Sequence, residues 1–216
     1  NEQMNYLVFG DVHGNLPALE NLLKNEKGVD AYINLGDVVN YGPWSNECVE
    51  LISSLDNCIN IKGNHEKYFI EKECNIENDI VQAFFRCNIS SFSQNEKIKM
   101  YLKNYKLNGF NFIHNISGHK YIFNDTIVNI KDNTVLAHSH QQYIRYFNNH
   151  LIINPGSVGQ NRDIINMSNY IIWNTETGEF KLKHLLFSIE ILINELKIRK
   201  FPNSCIDYYK SKKILI

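Results

Sequence analysis

Apolar residues along this chain gather into short runs, and several of these runs end in a glycine or in a side chain able to bind metal. Tyr6-Leu7-Val8-Phe9 reads as a buried strand that stops at Gly10, with Asp11 and His13 following two residues apart. Residues i and i+2 of an extended chain point to the same side, so this acid and this imidazole are expected to converge at the strand's carboxyl end. That is the edge where open α/β sheets place their ligands. Asn15 and Pro17 open a helix, as cap and first-turn residue, and Leu16, Leu19, Leu22 and Leu23 follow at helical spacing up to about Gly28. A second run, Ala31 to Leu35, ends in Gly36-Asp37, and a helix from about Ser45 carries Val49, Ile52 and Leu55 on one face. A third run, Cys58 to Lys62, ends in Gly63-Asn64-His65-Glu66. Asp11, Asp37 and Asn64 are 26 and 27 residues apart, about the length of a βαβ unit. Parallel strands would bring all three to one sheet edge.

From about residue 67 to 105 the pattern changes to a helical excursion, expected as a cap beside the site or as a helix pair that only covers core. Ile80, Phe84, Phe85 and Cys87 outline an amphipathic helix, and Ser93 with Glu96 matches a capping box ahead of Ile98, Tyr101 and Leu102. Strands resume at Phe110–Ile113, ending in His114, and at Thr134–Ala137, ending in His138-Ser139-His140. Asn148-Asn149 and Thr177-Gly178 mark two hairpins on either side of the turn-rich stretch 154–159. A helix over 188–200 closes the pattern, Pro202 ends it, and a short polar helix follows. No linker divides the chain, so one domain over residues 1–216 is expected, with Met4 as its natural start.

Composition narrows the picture. Apolar residues are 44% of the 216, enough for a sizeable core, and a net charge of −1 does not predict a nucleic-acid or membrane surface. No run of 18 apolar residues and no signal-peptide pattern occurs, so a cytoplasmic protein is expected. Five cysteines without a C-x-x-C spacing read as ordinary thiols.

Five of the eight histidines fall at the ends of apolar runs; His119, His150 and His184 do not and are expected at the surface or in turns. Acids and imidazoles in this pattern suit a borderline divalent cation. The set Asp11-Val12-His13, Gly36-Asp37, Gly63-Asn64-His65-Glu66, His114 and His138-Ser139-His140 resembles the calcineurin-like metallophosphoesterase superfamily. Gly10–Leu19, Gly36–Pro43 and Asn154–Gln160 are similar to its small bacterial phosphodiesterase branch, and the likeness covers roughly residues 5 to 185. The resemblance implies a four-layer αββα sandwich of two mixed β-sheets flanked by helices. It implies two divalent metal ions (Mn, Fe, Zn or Ni), one held by Asp11, His13, Asp37 and His140, the other by Asp37, Asn64, His114 and His138. His65 would face the substrate, and Glu66 is a candidate either for orienting that imidazole or for a helix N-terminal acid favoured by the dipole. If Asp37 and His140 do not meet Asp11 and His13, this reading fails.

Some positions depart from the family's pattern. Ala137 stands where Gly is usual, Ser139 where Thr is commoner, and Asn115-Ile116-Ser117 where a Gly-Ser-Pro turn is usual. The Asp-Arg-Gly and second Arg of protein Ser/Thr phosphatases are replaced by Asn40-Tyr41-Gly42 and Lys62. The expected activity is therefore hydrolysis of a phosphodiester or pyrophosphate bond in a small nucleotide-type substrate such as a dinucleoside polyphosphate. A phosphomonoesterase is the enzymatic alternative and a silent scaffold the non-enzymatic one, which the presence of His65 opposes. Tyr41, Trp44 and Arg162 are candidates for substrate contact, and neither a nucleic-acid polymer nor a membrane is an expected partner.

Overall fold

The computed structural model describes residues 4–216. Its first half follows the repeat: β1 (Asn5–Phe9), α1 (Leu16–Asn25), β2 (Ala31–Asn34), α2 (Ser45–Ser53) and β3 (Cys58–Asn60). The side chain of Asn15 accepts from the Ala18 N–H at 3.2 Å and so fixes where α1 begins. β1 pairs with β2 and β2 with β3, both in parallel, and the residues following all three strands share one edge.

Three helices come next, α3 (Asn64–Glu71), α4 (Asp79–Ile89) and α5 (Asn95–Lys99). The capping box expected at Ser93 and Glu96 does not form. Gln94 is the cap residue, with no side-chain bond, and α5 ends before Tyr101. The Ser93 N–H donates instead to Asn46 Oδ1 on α2 at 2.8 Å, so a tertiary partner has displaced the local motif. The excursion contributes to two places. Phe69, Val81 and Phe85 join the core under the first sheet, while Tyr68, Ile80 and Val81 line the pocket described below.

The remaining strands are β4 (Asn104–Leu107), β5 (Phe110–Ile113), β6 (Asn133–Val135), β7 (Gln142–Phe147), β8 (His150–Pro155), β9 (Met167–Asn174) and β10 (Phe180–Leu186). β4 lies partly in the stretch expected to be helical. Asn108 and Gly109, both at positive φ, turn it back antiparallel on β5. Two five-stranded mixed sheets result, in the orders β10-β9-β1-β2-β3 and β4-β5-β6-β8-β7. Val8, Ile33, Leu35 and Trp173 of the first pack against Phe112, Val135 and Ile153 of the second. α1 and α2 cover the other face of the first sheet through Leu19, Leu22, Val49 and Ile52.

The far face of the second sheet, at Leu136, Tyr143 and Ile152, is covered by Ile122 and Val128. Both come from the segment between β5 and β6, which has no helix or strand. The chain closes with α6 (Ile189–Ile198) and α7 (Asn203–Lys210), which pack on Phe84 of α4 through Leu192, Leu196, Ile206 and Tyr209. Among the described residues no helix is long and apolar enough to cross a membrane, and all five cysteines are free thiols.

Candidate metal centre

The turns after β1, β2, β3, β5 and β6 converge. Asp11, His13, Asp37, His138 and His140 all take left-handed backbone conformations, with φ between +47° and +68°. Such a conformation costs a non-glycine residue about 1–2 kcal/mol, and clusters of it mark functional sites. Neighbouring turns hold it in place. The N–H groups of Asp11, His13 and Gly14 donate to the carbonyls of Gly36, Asp37 and Val38, so the β1–β2 ladder continues past the strands. The end of β8 and the loop after it brace the other side: Ser157 Oγ donates to the Asp11 carbonyl at 2.7 Å, and Asn154 Nδ2 to the Ala137 carbonyl at 3.0 Å.

Two clusters of ligand-type atoms share this floor. In one, His13 Nε2 lies 3.2 Å from His140 Nε2, and Asp11 Oδ1 lies 3.9 and 3.5 Å from those nitrogens. In the other, His114 Nε2 lies 3.1 Å from Asp37 Oδ2, 3.1 Å from Asn64 Oδ1 and 3.2 Å from His138 Nδ1. Asp37 stands between them, its Oδ2 also 3.9 Å from His13 Nε2. The seven residues expected as ligands are thus brought together, and Asp37 and His140 do meet Asp11 and His13. His65 stands alongside, 4.9 Å from His13 between ring centroids.

These atoms fit a cation better than they fit one another. The Nδ1 nitrogens of His13, His114 and His140 face the carbonyl oxygens of Val39, Leu35 and Gln160. A carbonyl only accepts, so Nδ1 of each ring carries a proton, and in His13 and His140, held neutral by burial, Nε2 turns its lone pair into the site. His13 and His140 therefore aim two lone pairs at each other, and Asp11 Oδ1 is buried without any hydrogen-bond donor. A divalent ion with nitrogen and oxygen ligands satisfies all three.

The titration of these groups reflects the same crowding. Burial pushes the Asp11 carboxyl up to about 8. Burial likewise holds His13 and His140 well below the usual imidazole range, and His138 at about 4. At Asp37 and His114 burial opposes the charged forms, yet their mutual attraction prevails. It brings His114 up to about 10 and holds Asp37 well below the carboxylate range.

Of the two tasks the sequence proposes for Glu66, the structure places it in the second, as an acid in the first turn of α3. Its carboxylate does not touch His65 and instead accepts from four backbone N–H groups. Oε2 takes those of Asp37 and Gly63, each at 2.8 Å, and Oε1 takes those of Val38 and Val39 at 2.7 and 3.3 Å. It ties the turn carrying Asp37 to the turn carrying Asn64. Burial and the Asp37 carboxylate raise it to about 7, a rise the N–H donors oppose. His65 is held by Asn40, whose Nδ2 is 3.0 Å from Nδ1, leaving Nε2 as the ring's free nitrogen. Gly63 is required where it stands, because a Cβ there would sit 2.1 Å from Asp37 Oδ1.

The floor opens into a pocket of about 1240 Å³. Tyr41 and Arg162 line it, as the sequence proposes, whereas Trp44 does not. Trp44 precedes α2 and packs half-buried on the core, with the Arg199 guanidinium 5.9 Å from its ring. His119 also lines the pocket, and His184 is exposed. Tyr68, Tyr121 and Tyr208 are wall residues that the sequence reading missed. Tyr68 was accessible to it, one helical turn after His65. Tyr121 lies in the irregular segment, where no periodicity marks a face, and Tyr208 depends on how α7 docks.

The family model of the calcineurin-like phosphoesterases matches residues 4–192. An uncharacterized protein of Methanocaldococcus jannaschii is 30% identical over 235 residues, covering 90% of this chain and 93% of that protein. A solved metallophosphoesterase from Sphaerobacter thermophilus is similar with a TM-score of 0.80 and 23% identity, over 97% of this chain and 99% of its own. A solved hypothetical protein from Pyrococcus horikoshii has a TM-score of 0.78 and 16% identity, over 95% and 97%.

Proposed function

The chain belongs to the calcineurin-like phosphoesterase family and is a phosphate-ester hydrolase, and from that premise we propose that it cleaves a phosphodiester or pyrophosphate bond of a small nucleotide-type substrate. The observation that carries this reading is the pair of Asp/His clusters sharing Asp37 at the floor of one pocket, with His65 beside them. Asp11, His13, Asp37 and His140 would hold one divalent cation, and Asp37, Asn64, His114 and His138 a second. Bound there, such ions supply Lewis acidity toward phosphoryl oxygens and lower the pKa of water. Asp37 suits the shared position because a carboxylate has two oxygens with several lone pairs. Asn64 contributes a neutral oxygen, which limits the negative charge facing an anionic substrate.

His65 is the group that meets the leaving oxygen. Asn40 fixes one ring nitrogen, and the other donates a hydrogen bond or a proton as negative charge develops, a role worth about 10²–10⁴-fold in rate. Tyr41 packs edge-on against His13, at 5.0 Å between centroids, and helps to seal the floor from water. A nucleotide-type substrate is supported by the pocket's tyrosine walls and basic rim.

The test is hydrolysis of bis-p-nitrophenyl phosphate with Mn²⁺. The activity is expected to vanish in His65→Ala and in Asp37→Ala, and full activity in both variants would refute the mechanism. Running p-nitrophenyl phosphate on the same preparation separates a diesterase from a monoesterase.

A further inference from the structure

The rim of the pocket carries more positive charge than hydrolysis of one diester needs. Lys62, Lys67, Lys103, Lys120, Arg162 and Lys212 line it, against two carboxylates, Asp37 and Glu77. Lys67 has its own partner in Glu71, and the Lys62 ammonium donates to the Lys99 carbonyl. Three of the others share one arrangement: each is seated on a tyrosine ring. The Arg162 guanidinium is 4.9 Å from the Tyr121 centroid, the Lys120 ammonium 5.9 Å from the same ring, and the Lys212 ammonium 4.4 Å from that of Tyr208. Among the described residues no carboxylate lies within 4.0 Å of any of these three cations.

The rings are themselves anchored to the metal floor. Tyr121 stacks on His138 at 5.0 Å. The Tyr208 hydroxyl accepts from Gln160 Nε2 at 3.1 Å, while the Gln160 carbonyl accepts from His140 Nδ1 at 2.6 Å. Tyr208 and Lys212 lie beyond residue 192, where the family match ends. They come from the end of the chain, Lys212 just past α7.

Cations without counter-ions, held in place by aromatic faces, have given up part of their motion before any ligand arrives. A substrate with a single negative charge would leave most of them unneutralised. We propose that Arg162, Lys120 and Lys212 form a receptor for a chain of three or more phosphates, and that the bond broken is a phosphoanhydride within that chain. Water adds across one P–O–P bond and two phosphorylated products leave. This inference rests on the phosphoesterase reading of the same site.

The experiment holds the nucleoside constant and varies the phosphates: diadenosine di-, tri- and tetraphosphate, at fixed free Mn²⁺, with bis-p-nitrophenyl phosphate alongside. From di- to tetraphosphate kcat/KM is expected to rise by about tenfold or more, mainly through KM. The rise is expected to collapse in the combined Arg162→Gln, Lys120→Gln, Lys212→Gln variant, and to flatten in high salt. In parallel, the metal-free chain is titrated with inorganic tripolyphosphate and with orthophosphate. Tripolyphosphate is expected to bind at least about tenfold tighter, and the triple variant to lose that preference. A flat series alongside active diester hydrolysis would overturn the phosphate-chain receptor alone, as would a triple variant that keeps the slope. Absence of hydrolysis of every ester would overturn the phosphoesterase reading, and equal binding of the two inorganic anions would then remove the receptor as well.

Discussion

Replacing Glu66 by Gln tests how the floor of the site is held together. The native carboxylate, fully buried, offers two oxygens to four N–H donors, those of Asp37 and Gly63 on one side and of Val38 and Val39 on the other. A carboxamide of the same shape keeps one oxygen and turns an NH₂ toward the other pair. Two buried donors then lose their acceptor and face a donor instead. At about 1–3 kcal/mol for each unsatisfied buried group, Glu66→Gln should destabilise the fold by roughly 2–6 kcal/mol. In a chain of this size that lowers Tm by about 5–20 °C. The same N–H groups set the backbone of Asp37, which lies between the two clusters, so Mn²⁺ affinity should fall together with Tm. Thermal unfolding followed by circular dichroism, with and without Mn²⁺, measures the first effect, and calorimetric titration measures the second. A Tm within about 2 °C of wild type would show that the clamp does not hold the two turns. A large loss of Tm with unchanged Mn²⁺ affinity would show that the clamp serves the fold and not the site.

The other predictions concern protons and space. Cation binding requires Asp11, raised to about 8, and His114, raised to about 10, to give up their protons. Apparent Mn²⁺ affinity should therefore fall as pH is lowered from 9 to 6, by about tenfold per pH unit for each proton displaced. Calorimetry in buffers of different ionisation enthalpy reads the released protons directly, and an affinity independent of pH would refute it. In the metal-free protein a raised carboxyl costs stability as pH climbs from the ordinary carboxylate range through about 8. The gain in Tm on adding Mn²⁺ should accordingly be larger at pH 8.5 than at pH 6. Gly63→Ala places a Cβ against Asp37 Oδ1 and should abolish Mn²⁺ binding at micromolar ion, as titration would show.

The floor of the site was legible in the sequence because its geometry follows from local rules. A strand, a glycine and a polar residue recur at the spacing of a βαβ unit, and parallel pairing of β1, β2 and β3 carries Asp11, Asp37 and Asn64 to one edge. The walls were less legible. Tyr41 and Arg162 flank motifs and could be proposed, but Trp44, beside the same motif, points into the core. Sequence nearness to a motif says nothing about which way a side chain leaves a turn, and Tyr41 reaches the pocket at φ +63°, a conformation no propensity favours for tyrosine. Glu66 stayed open between two tasks for a similar reason. Its position two residues after Asn64 is compatible with several partners, and only the approach of the turn after β2 decides that the partners are backbone. β4 carried a readable signal in Asn108-Gly109, outweighed by the helical pattern before it.

The strained turns and the unpaired lone pairs of the floor have one physical consequence in common. Each left-handed ligand residue costs the fold about 1–2 kcal/mol, and the turns carrying Asp11, His13, Asp37 and His138 are held by neighbouring segments. Asp11, His13 and Gly14 are bonded to the turn after β2, that turn is bonded to Glu66, and the Ala137–Ser139 turn is bonded to Asn154. Those bonds set the backbone from which the ligand side chains project. What the fold leaves without a partner is a set of buried polar atoms: an Asp11 carboxyl oxygen with no donor and two imidazole nitrogens with opposed lone pairs. A binding ion meets turns already braced by the rest of the fold and displaces protons from Asp11 and His114, so its binding energy goes to that exchange more than to ordering the chain. The same holds at the rim, where Arg162, Lys120 and Lys212 are positioned by rings before an anion arrives. Floor and rim thus offer complementary partners, donor atoms for a cation below and cations for an anion above, and the proposed metal-bound polyphosphate would engage both at once.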